Sequence, residues 1–446
     1  MATDERITQA LAERICGLRP ADVPEDVIGT AKACLLDTLG VALLGAQEDA
    51  TRILRELLAE FGDRPQATIV GAGAKTSVPN AALINGTAAH ALDFDDMHIA
   101  ASMHPSAPVI PAALAMAEHL AAGGRDTLTA IALGMEVELR LGVCVNPAHY
   151  ERGWHATATL GRFGAAAAAG HLLKLNPHQM AMAIGLAGTQ AAGLKEVFGT
   201  MAKPLHAGQA ARDGVLAALL AARGFSSATT ILEGKRGFAS VMAGEADWGR
   251  LLDDWGGYWS IREVLFKLHA SSFCTQALIE GVIALRSKHA LSTANVLAIR
   301  AQVSRMSMEN ARVIEPVSGM EGKFSLPHAA AQALCYGRAT ESDFTDARVA
   351  EPALRELRAR TAIRLGPTLG WAQAQVSIET VDGRTFTDEV DLHQRTSAAS
   401  EKWRVVRTKF DRIARPVLGA PAADRLADGV ERLDGAADLR EVLGLL

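Results

Sequence analysis

Hydrophobic residues recur at helical spacing through roughly the first 260 residues of the chain. Apolar positions three and four residues apart lie on one face of a helix, so this spacing predicts amphipathic helices. The predicted helices cover 5–16, 26–45, 49–61, 79–92, 106–122, 125–146, 157–174, 177–192, 205–223 and 227–233. The second is expected to break near Gly40 and Gly45, and a short strand is expected at Ala67–Val70. The loops are short and contain glycine or proline, which favours antiparallel packing of neighbouring helices.

The pattern changes after Phe266, where strand-like segments begin to alternate with helices. Strands are predicted at 296–304, 361–365, 374–380 and 385–390, and helices at 274–289, 326–336 and 351–359. Asp382-Gly383, between the last two strands, predicts a β-hairpin. From Ala398 the helical pattern returns. We therefore expect a mostly α fold, with a large all-helical domain (1–266), a smaller, lid-like α+β domain (267–395), and C-terminal helices (396–446) that rejoin the first domain.

Length and composition agree with a two-domain globular protein. The chain has 446 residues, a length that exceeds what one hydrophobic core usually serves. Apolar residues make up 49% of it, which is ordinary for a globular protein. The net charge is −5, with no basic tract, so nucleic acid is not expected as a partner. The five cysteines are scattered, and the longest apolar runs, such as Ala165–Leu173, are too short to span a bilayer. No apolar segment precedes a cleavage site near the N-terminus, so we expect a cytoplasmic protein without a membrane partner.

Neither a nucleotide loop nor a metal motif is recognisable. The segment GAGAKT at 71–76 has Thr76 where the dinucleotide fingerprint needs a glycine, and Ala74 where a Walker loop needs one. A glycine turn between a short strand and a helix is the better interpretation. There is no HExxH, and the histidines are not paired at ligand spacing, so no metal is expected.

An acidic cluster follows the predicted helix 79–92. Asp93, Asp95 and Asp96 fall at its C-terminal end, where the helix dipole disfavours negative charge. A carboxylate held there should be more basic than a free one. Violations of local helix rules are common at functional sites, although a solvated acidic cap is the alternative interpretation. His104 then precedes the next predicted helix.

Two further polar residues stand at predicted helix starts. His155 lies just before a small-residue helix in GWHATATLGRFG, and Lys203 precedes Pro204 in FGTMAKPLHAGQAARDG. Taken singly, a capping histidine or a solvated lysine would be the default interpretation. Helix N-termini attract anions, however, through free N–H groups and the positive end of the dipole. If the helix starts at His104, His155 and Lys203 converge, they would form a pocket for a substrate with several carboxylates.

Four strings together resemble the MmgE/PrpD family: NGTAAHALDFDD followed by HPSAP, GWHATATLG, FGTMAKPLHAGQAARDG, and GKFSLPHA at 322–329. Nearly the whole chain fits the order of that family. The resemblance implies a helical domain built from both chain ends, a later α+β domain, a homodimer, and neither a metal nor an organic cofactor. Members include 2-methylcitrate dehydratase, cis-aconitate decarboxylase and iminodisuccinate epimerase, so the implied substrate is a small anionic di- or tricarboxylate.

The resemblance also implies site residues. Carried over by motif, the catalytic candidates are Asp93, His104, His155 and Lys203. Lys203 would stabilise the charge that builds on carboxylate oxygens, Asp93 or His155 would act as base, and His104 as acid. The substrate-binding candidates, taken from the same segments and from VLFKLHASSFCTQ, are His98, Thr157, His206, Lys267, His269, Ser272 and Lys323.

Three positions depart from the decarboxylase pattern. Met97 replaces a threonine, Ser272 replaces a catalytic histidine, and Gln276 replaces a second histidine; His98 or His269 are candidates to compensate. These departures argue against decarboxylation of cis-aconitate, and the wording around His155 and Lys203 is nearer to the epimerase. A hydro-lyase of the methylcitrate-dehydratase kind is the first hypothesis. An epimerase or isomerase of a dicarboxylate is the second, and a catalytically silent carboxylate-binding homologue is the third.

Overall fold

The computed structural model describes residues 6–395 and 398–445, which form two compact units. The helical unit contains the described residues up to Ala91, Asp95–Phe266, and those from Ala398 onward. The α+β unit contains Leu92–Phe94 and the described residues 267–395. Residues 1–5, 396–397 and 446, which fall within the predicted helix 5–16 or the predicted domain ranges, lie outside the described residues.

The fold class is the predicted one, a large helical unit with a smaller α+β unit. The first helices are α1 (Ile7–Gly17), α2 (Glu25–Gly45), α3 (Asp49–Glu60), α4 (Val78–His90), α5 (Ser106–Leu120), α6 (Gly124–Val145), α7 (Ala148–Glu151), α8 (Ala156–Leu172), α9 (Pro177–Thr189), α10 (Ala202–Ala222), α11 (Phe238–Met242) and α12 (Trp248–Leu252). The α+β unit follows with α13 (Phe273–His289), β3 (Val296–Val303), α14 (Arg305–Asn310), α15 (Gly319–Gly322), α16 (Leu326–Tyr336), α17 (Asp346–Ala350), α18 (Pro352–Ala359), β4 (Thr361–Leu365), β5 (Gln373–Thr380) and β6 (Thr385–Asp391). The helices α19 (Ala399–Leu418), α20 (Ala420–Glu431) and α21 (Arg440–Leu443) complete the helical unit, and β1 (Ala67–Ile69) pairs antiparallel with β2 (Ala74–Thr76) inside it.

Small residues let the central helices α4, α8 and α10 approach closely. A Cβ added at Gly208 of α10 would lie 2.2 Å from the carbonyl oxygen of Leu83 in α4. One added at Gly214 of α10 would lie 2.4 Å from the Cβ of Ala165 in α8. No side chain larger than hydrogen fits at these crossings. The starts of α8 and α10 carry four of the candidate site residues, His155, Thr157, Lys203 and His206, so this close packing fixes where those side chains stand.

Three sequence-based expectations need correction. Helix α2 is continuous through Gly40 and ends at Gly45. Gly40 does not break the helix, because it packs against Phe410 and Ile413 of α19. The segment 227–233 is not helical. Its backbone is held by tertiary bonds, since the N–H of Leu232 donates to Thr8 Oγ1 of α1 at 3.1 Å. The glycine turn of 71–76 joins β1 to β2 rather than joining a strand directly to a helix.

Helix α2 also bears on the membrane expectation. It is the one helix of the described ranges that is long and apolar enough to cross a bilayer by length and composition, with a mean hydropathy of 1.7 in its most apolar window. The expectation that no apolar run has this length is therefore wrong. Because 83% of that window is buried inside the protein, α2 has the character of a core helix.

The α+β unit is built on a four-stranded mixed sheet of order β4-β3-β5-β6. Strand β3 pairs parallel with β4 and antiparallel with β5, and β5 pairs antiparallel with β6. The predicted hairpin at Asp382-Gly383 is confirmed, with Gly383 at a φ of +83° in the turn. Residues of β5 alternate between buried and half-buried, and Gly281 lets α13 approach Val376 on the buried face.

Candidate active site

The first element of the site is a buried histidine–carboxylate pair at the end of α4. His90 is the last residue of that helix, and its Nδ1 lies 2.8 Å and 3.0 Å from the two carboxylate oxygens of Asp95. Both side chains are almost fully buried, at 0% and 1% exposure. A carboxylate accepts hydrogen bonds only, so Nδ1 of His90 carries the proton and its Nε2 is the second functional atom. Nε2 is buried and has no hydrogen-bond partner among the described residues.

His104 belongs to the same cluster. Its Nδ1 donates to the backbone carbonyl of Asp96 at 2.8 Å and lies 3.5 Å from Asp95 Oδ2. Its backbone N–H donates to Thr157 Oγ1 at 3.0 Å, which links the start of α5 to the first turn of α8. The His104 ring lies 4.7 Å from the His90 ring, centroid to centroid. The two rings therefore share Asp95 as a neighbour.

Asp96 occupies the N-terminus of α5. Its Oδ2 accepts from the Ser106 hydroxyl at 2.5 Å, and its Oδ1 accepts from the Ser106 N–H at 3.2 Å. The helix start expected to hold a substrate anion is thus partly taken by the protein's own carboxylate. Burial raises the pKa of Asp96 to about 7, and the charges of Asp37 and Asp95 add to the effect against the opposing bonds from Ser106. The basic carboxylate expected in this acidic segment is found at Asp96, and its cause is burial rather than the helix dipole.

A second part of the site is a histidine pair with a lysine close by. His155 is the residue before the first turn of α8, and its Nδ1 lies 3.1 Å from Nδ1 of His206 in α10. The ring of His155 stacks 5.9 Å from that of His90 and packs edge-on against Phe198. Lys203 Nζ lies 5.3 Å from the centroid of the same Phe198 ring. Lys203 is the second residue of α10, so this helix begins slightly earlier than the sequence suggested.

Burial and neighbouring positive charges keep two of these rings neutral. Desolvation lowers the pKa of His155 well below its usual range, and His90, Lys203, His206 and His104 act in the same direction whenever they are charged. Burial likewise lowers the pKa of His206 to about 4. At neutral pH His155 is a neutral imidazole, and its buried Nε2, like that of His90, has no hydrogen-bond partner in the described part of the chain. Buried polar atoms without a partner are rare, so these two ring nitrogens are candidate contact points for a ligand.

The helical unit therefore brings together three of the sequence-predicted residues, His104, His155 and Lys203, with the substrate-binding candidates Thr157 and His206. His98, also in this unit, is buried, with its Nε2 3.5 Å from Glu263 Oε2. His90 and Asp95 were not singled out as site residues from the sequence. A signal was present, since His90 is a buried polar residue in an otherwise apolar helix and stands five residues before Asp95.

The α+β unit holds the remaining candidates. Asp93 has a φ of +52°, a strained left-handed conformation, and its Oδ1 accepts from Lys267 Nζ at 2.6 Å. The ammonium group of Lys267 also donates to the Asp93 carbonyl, and that of Lys323 donates to the carbonyl of Leu92 at 2.8 Å. Two buried lysines thus hold the short segment that contains Asp93. The joint action of Asp93 with His104, His155 and Lys203 stays a prediction.

The positions that depart from the decarboxylase pattern have local roles in the same unit. The Ser272 hydroxyl accepts from the N–H of Cys274 and caps the start of α13. Gln276 Oε1 accepts from two successive backbone N–H groups, those of Leu268 and His269. His269 Nε2 lies 2.8 Å from Glu280 Oε1. These side chains order the loop between Lys267 and α13, and substrate binding by Ser272 and His269 stays a prediction.

Some of these residues are of metal-binding types. One potential ligand atom each from His90, Asp95 and His104 lies within 4.8 Å of the others. In the chain these residues are separated by 5 and 9 positions, so only the fold reveals the cluster. The hydrogen bonds from Nδ1 of each ring account for the spacing, and the absence of a metal stays a prediction.

Comparison with known proteins identifies the family. Residues 9–251 match the MmgE/PrpD N-terminal domain, and residues 269–435 match the MmgE/PrpD C-terminal domain. The chain belongs to the MmgE/PrpD family, as its motifs predicted. It is 28% identical to the cis-aconitate decarboxylase of Homo sapiens, over 99% of this chain and 94% of that protein. It is 27% identical to the cis-aconitate decarboxylase of Aspergillus terreus, over 100% of this chain and 97% of that protein.

Proposed function

We propose that this protein is a cofactor-independent lyase that acts on a small di- or tricarboxylate by moving a proton on the carbon next to a carboxylate. The observation that carries the proposal is the buried cluster of His90, His104, His155 and Lys203 in the helical unit, in which two ring nitrogens have no protein partner among the described residues. The named relatives, cis-aconitate decarboxylases, support a lyase that handles a polycarboxylate.

The cluster suits a polyanion for two reasons. Lys203 is 6% exposed, so its charge is little screened by solvent and acts strongly on a carboxylate bound beside it. His155 is neutral at pH 7, so one of its ring nitrogens has a lone pair, and its buried Nε2 has no hydrogen-bond partner among the described residues. Proton removal next to a carboxylate builds negative charge on the carboxylate oxygens, and a fixed ammonium group stabilises that charge more than it stabilises the substrate.

We assign roles by motif and contact. Lys203 stabilises the developing charge, and His104 acts as the acid that protonates a leaving group. The family motif assigns the base to Asp93 or His155. Burial among positive charges weakens His155 as a proton acceptor, and Asp93 is ion-paired with Lys267. The remaining substrate-binding candidates, His98, Thr157, His206, Lys267, His269, Ser272 and Lys323, are proposed to surround the substrate.

Dehydration is the first reaction proposed. The relatives reported above are named cis-aconitate decarboxylases. In this chain, however, Met97, Ser272 and Gln276 replace residues of the decarboxylase pattern. The Ser272 hydroxyl caps α13, a role that supplies no acid or base group in place of the missing histidine. In dehydration, the C–H electron pair forms the new double bond while the C–O bond breaks, and the acid protonates the departing hydroxyl to give water.

Epimerisation of a dicarboxylate is the second candidate. The observation that favours it is the wording of the His155 and Lys203 motifs, which is nearer to iminodisuccinate epimerase, together with Met97 in place of threonine. An epimerase returns the proton to the opposite face of the same carbon, so it needs proton-carrying groups on two sides. A silent, carboxylate-binding homologue is the third candidate, and the same three departures favour it.

Proton exchange in deuterated water distinguishes these candidates. The protein is incubated with citrate, 2-methylcitrate, cis-aconitate and a chiral dicarboxylate, and each is followed by NMR. Loss of water indicates the dehydratase, loss of carbon dioxide the decarboxylase, and deuterium gain with inversion the epimerase. Binding without any exchange or turnover contradicts the lyase proposal and supports the silent homologue. Repeating the assay after treatment with a chelator tests the proposed independence from metal.

We further propose a homodimer in the cytoplasm, with no nucleic-acid or membrane partner. Sedimentation analysis should give about twice the 47.0 kDa mass of one chain. A single-chain mass at micromolar concentration would contradict the dimer.

A further inference from the structure

We infer that His90 is a catalytic residue of the proposed reaction, which takes or returns the substrate proton at its Nε2, and that Asp95 is the residue that positions it. The inference rests on the proposed function and names the proton-carrying group of that same site. It concerns two residues that the family motif assignment left without a role.

The first argument is the location of His90. Its ring is adjacent to two candidate catalytic histidines, at 4.7 Å from the His104 ring and 5.9 Å from the His155 ring, centroid to centroid. The plane of the His90 ring is tilted by 58° to that of His104 and by 23° to that of His155. His90 is therefore an immediate neighbour of both candidate catalytic rings.

The second argument is the tautomer. Both carboxylate oxygens of Asp95 lie within 3.0 Å of Nδ1, so the proton of the neutral ring is on Nδ1 and the lone pair is on Nε2. Nε2 is buried without a hydrogen-bond partner among the described residues, and contact with a ligand would offset the cost of leaving this atom unpaired. A carboxylate behind a histidine fixes its orientation and compensates the positive charge that forms when Nε2 takes a proton.

The third argument is a comparison within the cluster. His155 has another histidine on its Nδ1, and burial holds its pKa well below the usual range. The Nδ1 atom of His104 donates to a backbone carbonyl and lies farther, at 3.5 Å, from the Asp95 carboxylate. The Asp95 carboxylate lies closer to Nδ1 of His90, at 2.8 Å, than to Nδ1 of His104. His90 is therefore the ring best arranged to become charged during the reaction.

The proton balance of a dehydration follows directly. The C–H bond next to the carboxylate breaks, its proton goes to Nε2 of His90, and its electron pair forms the double bond. The C–O bond breaks, and the hydroxyl leaves as water with a proton from protonated His104. Afterwards His90 is charged and His104 is neutral. Transfer of one proton from His90 to His104, through solvent or substrate, restores the starting state, so the reaction consumes no other reagent.

The test compares His90→Asn and His90→Gln with the wild type in full-length protein. The His90→Asn side chain keeps an amide donor toward Asp95 but has no atom at the Nε2 position. The His90→Gln side chain places an amide near that position, and this amide cannot carry the proton. We expect each variant to lower deuterium exchange and turnover about 100- to 10,000-fold, the usual range for loss of acid–base catalysis. The affinity for tricarballylate, a saturated tricarboxylate, should change by no more than about fivefold, because that ligand undergoes no proton transfer.

Asp95→Asn tests the positioning role. Asparagine can donate to Nδ1 and so permits the tautomer with the proton on Nε2. We expect lower turnover together with an altered pH profile. Nitrogen-15 NMR of the histidine side chains should report Nδ1–H at His90 in the wild type and a mixture in this variant. The matched control is His149→Gln, which replaces a fully buried histidine of the same unit whose Nε2 bonds to Thr159, and which should stay within about threefold of wild-type activity.

Each outcome separates this inference from the proposed function. Wild-type exchange that is lost in both His90 variants, with tricarballylate binding retained, supports the inference. Wild-type exchange that persists within threefold in either folded variant overturns the role of His90 and leaves the proposed function standing. An Nε2–H tautomer at His90 in the wild type overturns the inference even if neither variant folds. Absence of exchange and turnover in the wild type, with every polycarboxylate tried, overturns the proposed function and this inference together.

Discussion

Replacement of Asp96 by asparagine should make the protein's stability less dependent on pH. Burial raises the pKa of this carboxyl from 3.8 to about 7, so between those values the folded protein holds a proton that the unfolded chain has released. The stability this proton supplies is fully present below pH 3.8 and is lost as the pH rises through about 7. One pKa unit corresponds to about 1.36 kcal/mol. The shift from 3.8 to about 7 therefore changes the free energy of unfolding by about 4 kcal/mol in total. About 3 kcal/mol of it falls between pH 5 and pH 8.

Asp96→Asn is neutral at every pH and escapes this loss. It keeps an oxygen that can accept from the Ser106 N–H, although it forfeits charge-assisted bonds worth about 1.5–3 kcal/mol when the carboxylate is ionised. We therefore expect the stability of the variant relative to wild type to rise by about 3 kcal/mol from pH 5 to pH 8. Any loss of packing in the variant lowers its stability equally at every pH, so it does not change the size of this rise.

Thermal unfolding followed by circular dichroism at pH 5, 6, 7 and 8 measures this difference. The matched control is Asp63→Asn. The pKa of Asp63 is lowered to about 2, with hydrogen bonds from Ser77 and Thr76 offsetting its slight burial, so it is ionised throughout this range. Its variant should differ from wild type by a constant amount. Parallel curves for wild type and Asp96→Asn would refute the conclusion that burial makes Asp96 basic.

Three shorter predictions concern other residues. Lys203→Ala should lower kcat about 100- to 1,000-fold with an unchanged unfolding midpoint, because charge stabilisation is lost while the fold is kept. Lys235→Ala, at an exposed lysine, is the control. Near-normal turnover of Lys203→Ala would count heavily against the proposed site. Lys267→Met should lower the free energy of unfolding by about 3–5 kcal/mol in urea denaturation, because it leaves the buried Asp93 carboxylate without its ammonium partner; an unchanged midpoint would contradict the importance of this ion pair. Met97→Thr should not produce cis-aconitate decarboxylation unless Ser272→His is added, and carbon dioxide release by the single variant would contradict this.

Hydrophobic periodicity predicted most of the fold because most helices here bury one face. Helix α16, at Leu326–Tyr336, has the predicted bounds, and β4, at Thr361–Leu365, also matches. The pattern failed at 227–233, where the N–H of Leu232 donates to Thr8 Oγ1 in α1. Such long-range competition leaves no local trace in a single sequence.

The candidate site could be predicted only in part. Motifs indicated His104, His155 and Lys203, and the fold places them in one cluster. The partner of each side chain depends on the path of the loop after α4, which no spacing rule describes. Asp96 fills the start of α5, and Asp95 lies against His90 and His104. His90 was overlooked because one histidine in an apolar helix is more often a satisfied core residue.

A crystal structure with bound tricarballylate tests the central claim most directly. We predict that the ligand lies in the helical unit, with one carboxylate within hydrogen-bonding distance of Lys203 Nζ and a carbon next to a carboxylate beside Nε2 of His90 and the ring of His155. The Asp93 carboxylate is expected beside the same ligand. A ligand bound away from these three side chains, with the histidine cluster closed by protein contacts, would contradict the assignment of a polycarboxylate enzyme.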